Sequence, residues 1–180
     1  MRKTKKLALA SLCAALGTVF LSFGVLLNVF DMTAALLASF LVLFCLLEMG
    51  FRWSLSVYAV ISVLSLILMP SASAVWTFLL LFGYMPISKF GFERLCKRLA
   101  WTAWIPKLVL FNATYAVQIF LLGELLGFTA ENSLGIPPIA VYIAFFAVGN
   151  LLYTVSDILY GRLARVYMVK FRYRFSRFLK

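Results

Sequence analysis

The chain has 180 residues, of which 64% are hydrophobic, 17% aromatic and only 13% charged, with a formal net charge of +11. A soluble domain carries roughly 25% charged and about 45–50% apolar residues, so this chain has more apolar surface than one compact core can hide from water. The bilayer is its expected solvent, and the length allows one domain, 1–180. No histidine is present, which removes the commonest general base and metal ligand. Cys13, Cys45 and Cys96 lack metal-site spacing, and six acids (Asp31, Glu48, Glu93, Glu124, Glu131, Asp157) are scattered singly. No catalytic residue, metal site or cofactor is assigned, and an enzyme is not expected.

A crossing helix needs about 20 mostly apolar residues. The first span covers about 7–27. Its uncharged run, Leu7 to Phe30, is too long for the apolar core of a cleaved signal peptide. Within it Ala10, Ala14 and Gly17 fall on one helical face. Small residues four apart let helix backbones approach closely in lipid, either within the protein's own bundle or against another membrane subunit. The second span covers about 32–49, between Asp31 and Arg52. Trp53 to Ser88 holds no charge and is too long for one crossing, so Pro70-Ser-Ala-Ser is expected to divide it into spans at about 53–69 and 74–87. The fifth and sixth spans cover about 108–126 and 136–158. The expected fold is all-α: a six-helix transmembrane bundle.

The basic residues orient it. With the N-terminus in the cytoplasm, all 17 Lys and Arg residues fall in cytoplasmic segments, and the outer loops hold none. So complete a bias puts both termini inside. It also places the positive charge beside anionic lipid at the cytoplasmic face rather than on nucleic acid. The tail, 160–180, interleaves basic and apolar residues, which suits an amphipathic helix on the membrane surface or a dock for a cytoplasmic partner.

Polar residues inside the spans are the remaining candidates for function. Asn112, Thr114, Tyr115 and Gln118 lie in the fifth, and Asn150, Tyr153, Ser156 and Asp157 in the sixth. Such groups face the bundle interior or a cavity. Asn112 and Asn150 fall at different estimated depths, so no pairing between them is inferred. Asp157 is expected to pair with Arg162 or Arg165, and Glu48 with Arg52. An incoming solute would meet the outer side, so Asn28, Asp31, Trp76, Gln118, Glu124 and Asn132 are the candidate substrate-binding residues. Trp76 also suits interfacial anchoring.

The basic N-terminus, the Lys5-Lys6-Leu-Ala-Leu-Ala-Ser-Leu-Cys-Ala-Ala opening and six spans in 180 residues together resemble a family. This is the substrate-binding S components of energy-coupling factor transporters, which take up vitamins and related micronutrients. The resemblance implies capture of a small-molecule ligand in a cavity on the outer side, and the lack of a recognisable disulfide pairing or cleaved signal makes a bacterial cytoplasmic membrane the expected location. It also implies docking through Ala10, Ala14 and Gly17 onto an energy-coupling membrane subunit bound to ATPases. The chain itself has no phosphate-binding Gly-x-x-x-x-Gly-Lys-Ser/Thr loop. The competing expectation is a non-transport membrane scaffold or assembly protein that recruits a partner through its basic tail.

Overall fold

The computed structural model describes residues 3–27, 31–95, 104–125 and 138–171, with side chains for 3–27, 31–94, 104–121 and 143–170. The helices are α1 (Lys3–Leu27), α2 (Asp31–Met49), α3 (Phe51–Leu68), α4 (Ser73–Thr77), α5 (Met85–Leu95), α6 (Trp104–Leu125) and α7 (Pro138–Val166). No strand occurs among the described residues. A π-helical turn, Phe78–Phe82, follows α4, and another, Tyr167–Phe171, extends α7. Six helices are long and apolar enough to cross a membrane, the fourth being the composite Ser73–Arg94. The chain is a multi-pass α-helical membrane protein in architecture. Its outward surface agrees: Phe23, Leu26, Ile67, Phe120 and Leu151 are all exposed, an apolar surface suited to lipid.

Helices α2 and α3 lie within two residues of the expected spans, α1 and α6 each begin four residues earlier, and the fourth and sixth run well past their expected ends. Span four runs on through α5, and α7 continues unbroken past 158 into the basic segment. Residues 172–180 of the tail lie outside the described residues. Gly50 alone separates α2 from α3 at φ 92°, a left-handed conformation that strongly favours glycine. In the first turn of α5, Pro86 has no N–H to offer Phe82 and its ring crowds that carbonyl. The helix widens one turn earlier, where Gly83 N–H reaches back to the Phe78 carbonyl at 2.7 Å. The Leu79 carbonyl within this turn accepts from the Tyr58 hydroxyl at 2.8 Å, so the distortion leaves that oxygen bonded.

Two kinds of packing hold the bundle. Helices α1, α2 and α3 meet through small and apolar residues: Ala10, Cys13, Ala14 and Gly17 on α1, Ala35, Ala38 and Val42 on α2, Val57 and Ile61 on α3. Lipid tails are as apolar as leucine, so this association depends on close van der Waals fit. Among the described residues α6 buries the smallest share of its span, and both α6 and α7 are tied on by polar side chains. The Ser39 and Tyr160 hydroxyls meet at 2.5 Å between α2 and α7. Those of Tyr84 and Thr114 meet at 2.7 Å. Asn112 and Asn150 exchange reciprocal amide bonds at 3.1 and 2.9 Å.

That asparagine pair corrects the depth estimate from the sequence. Counted from Lys107 and Asp157, which lie 3.6 Å apart, the two asparagines are five and seven residues further into the bundle. At 1.5 Å per residue the difference is about 3 Å, within reach of two amides.

Candidate functional site

The polar features gather at the two ends of the bundle. At one end α2 begins, α3 ends and α4 begins. There a cavity of about 530 Å³ is lined by Val25, Asp31 and the connecting run from Leu68 to Ser73. The Pro70 turn forms its rim. Trp76 donates its indole N–H to the Pro70 carbonyl at 2.9 Å, so it clasps the turn and is not among the cavity's lining residues. The Ser73 hydroxyl donates to Asp31 Oδ2 in a short hydrogen bond. Asp31 Oδ1 is buried without a hydrogen-bond partner. Asp31 opens α2, where the helix dipole favours a negative charge.

Further polar atoms in this half of the bundle are similarly unfilled. Ser65 Oγ, one turn before the end of α3, is buried and unpartnered. Gln118 is buried on α6; its amide N–H donates to Thr77 Oγ1 at 3.0 Å, while its Oε1 has no partner. A buried acceptor left open costs about 1–3 kcal/mol, so such groups invite a donor. Of the substrate-binding residues expected from sequence, Asp31 lies in the cavity, and Gln118 lies deeper in the same half. Asn28 and Asn132 lie outside the described residues, as does the side chain of Glu124 on α6.

The opposite end holds a charge network in which every charge is paired. Lys89 on α5 donates to Asp157 on α7 twice, to Oδ2 at 2.7 Å and to the backbone carbonyl at 2.6 Å. Lys107 on α6 donates to Glu93 Oε1 at 2.8 Å and lies 3.6 Å from Asp157 Oδ1. Lys89 also lies 3.6 Å from Glu93. Two cations and two anions thus join three helices, with Lys89, Lys107 and Asp157 buried.

The sequence expectation paired Asp157 with Arg162 or Arg165, and the structure corrects it. On a helix, Arg162 at five positions on points about 140° away, and Arg165 at eight positions on lies about 12 Å further along the axis, too far for a direct pair. The actual partners come from α5 and α6. Glu48 is corrected likewise: it accepts from the Tyr167 hydroxyl at 2.6 Å and is in no ion pair with Arg52. Sequence reasoning placed Lys89, Glu93 and Lys107 only as loop charges. Their spacing, with Lys89 and Glu93 four apart and Lys107 just ahead of an apolar helix, was the available signal.

The face proposed for subunit docking is also spent internally. Ala10, Ala14 and Gly17 are buried under α2 and α3. A Cβ at Gly17 would stand 2.5 Å from Ile61 Cδ1. Packing within the protein's own bundle is therefore what these residues do. The small residues left exposed on α1 are Ala8, Ser11 and Ala15.

Compared with protein-family models, curated proteins and solved structures, the chain matches none.

Proposed function

We propose that this protein is the membrane-embedded capture subunit for uptake of a small molecule, working with a separate ATPase-driven module. The single observation that carries this reading is the cavity at Asp31. Its volume, about 530 Å³, falls in the roughly 300–1,000 Å³ range of ligand pockets. It combines apolar walls with one carboxylate that has an acceptor to spare. The asymmetry of basic residues in the sequence supports orienting this end outward, with both termini in the cytoplasm of a bacterium. The charge network then closes the cytoplasmic end. A solute with a cationic or hydrogen-bond-donating group and a compact apolar body suits the cavity. The vitamin-like micronutrients of the resembling family are the class to try first. Docking on an energy-coupling subunit through α1 would use Ala8, Ser11 and Ala15, because the neighbouring small residues are enclosed.

The test is purification of the intact protein with mass spectrometry of whatever small molecule accompanies it, followed by affinity measurement on wild type and Asp31→Asn. A bound compound whose affinity falls at least about tenfold in Asp31→Asn supports the reading; that loss is the low end expected for a hydrogen bond to a charged group. No bound compound, with no energy-coupling subunit on pulldown, overturns it. The exposed Arg162 and Arg165 on α7 and Lys170 in the turn that extends it support a second reading, a scaffold that recruits a partner through its basic tail. Capture of an envelope protein by the full chain but not by one lacking residues 168–180, with no solute bound, would favour that.

A further inference from the structure

The charge-network end carries a second cavity that solute capture does not use. It is a groove of about 410 Å³ between the last turn of α2, α5 and the extended part of α7. Leu47, Lys89, Glu93, Arg165, Met168 and Val169 are among the residues lining it. The Lys89 ammonium is committed to Asp157 and Glu93, and the exposed Glu93 carboxylate is held by Lys107 at 2.8 Å. The four-charge network is therefore neutral and satisfied from within. Arg165 is different. It lines the same groove, is exposed, and has no carboxylate within 4 Å among the described residues. The groove thus has one cation in excess beside an apolar wall, with Val169 80% exposed and Met168 45% exposed.

We propose that this groove holds the phosphate headgroup of an anionic phospholipid from the adjoining leaflet. The Arg165 guanidinium would donate to the phosphate oxygens, and the upper acyl chain would lie on Leu47, Met168 and Val169. Three observations converge on that occupant. A guanidinium presents a planar fork of donors that matches phosphate in a two-bond arrangement. The apolar wall would gain nothing from a free inorganic anion but is covered by a lipid tail. Finally, every Lys and Arg in the sequence falls on one side under the six-span topology, and anionic lipid is concentrated on the side such residues occupy. Glu93 faces the groove and repels an anion, but its charge is offset by two lysines within 3.6 Å. The inference does not depend on the uptake reading.

The experiment uses the full chain in neutral detergent. Phosphatidylglycerol or phosphatidylcholine is titrated in, and retained lipid is counted by native mass spectrometry. Wild type should retain one phosphatidylglycerol, about tenfold more tightly than phosphatidylcholine. Arg165→Gln should bring the two lipids level, while Arg162→Gln, at an exposed neighbour outside the groove, should leave the preference intact. Both variants change exposed side chains, so their unfolding midpoints in lipid-free detergent should match wild type. Equal retention of the two lipids by wild type would overturn the proposal. So would equal losses in the two variants, which would mean diffuse attraction to the basic segment. Stabilisation by inorganic phosphate alone, equal to that by phosphatidylglycerol, would make the ligand a free anion and overturn the lipid assignment.

Discussion

Asp157→Asn removes one of the two negative charges of the network and leaves Lys89 and Lys107 to share Glu93. The pair it breaks is short, 2.7 Å, with both side chains 9% exposed. At an effective dielectric constant of about 20, Coulomb's law gives such a contact about 6 kcal/mol of gross attraction. Much of that offsets the cost of taking two charges out of solvent, and removing one partner of a buried pair typically costs about 3–5 kcal/mol net. Asparagine keeps a neutral acceptor for Lys89, and the exposed Glu93 supplies partial compensation. The expected loss is therefore at the lower end, about 3 kcal/mol, or roughly a hundredfold in the unfolding equilibrium. Equilibrium unfolding in mixed micelles with increasing denaturing detergent, followed by helical circular dichroism, measures it. The double variant Lys89→Met with Asp157→Leu removes both charges and should recover most of the loss, to within about 1 kcal/mol of wild type. A loss below about 1 kcal/mol in Asp157→Asn, or a double variant no more stable than the single one, would refute this account of the network.

The enclosed face of α1 makes a contrast between adjacent alanines. Ala14→Leu forces a larger side chain under α2 and α3 and should cost about 1–3 kcal/mol in the same unfolding assay. Ala15→Leu points outward and should stay within about 0.5 kcal/mol of wild type, impairing uptake only if the exposed face docks a partner. For the paired amides, a double-mutant cycle with Asn112→Leu and Asn150→Leu should return a coupling of about 0.6–1.7 kcal/mol. Zero coupling would mean that the two side chains do not act as a pair.

The number and class of the helices were legible in the sequence because they depend on quantities summed along the chain. A crossing needs a certain length of apolar residues, and Gly50, Asp31 and the Pro70 turn interrupt those lengths wherever they fall. The limits of span four were less legible. The expected limit at 87 fell just ahead of Lys89, the first charge after the apolar run, yet that ammonium is buried against Asp157 and the helix runs on to Leu95. Asp31 could be singled out because a lone acid at a helix start near an outer turn is visible as sequence. What it faces depends on how the Leu68–Ser73 run folds over it.

Partner choice belonged to the tertiary structure. Asp157 has two arginines nearby in sequence but pairs with lysines 68 and 50 positions away, because Arg162 is turned off its face and Arg165 lies about 12 Å further along the helix, while α5 and α6 bring the lysines in. The small-residue face shows the same limit. Spacing of four marks Ala10, Ala14 and Gly17 as a surface for close approach, and only the placement of Ile61 at 2.5 Å from a Gly17 Cβ identifies the neighbour as the chain's own α3. Periodicity records that a helix face must be covered; which helix covers it is decided by contacts between residues far apart in the chain.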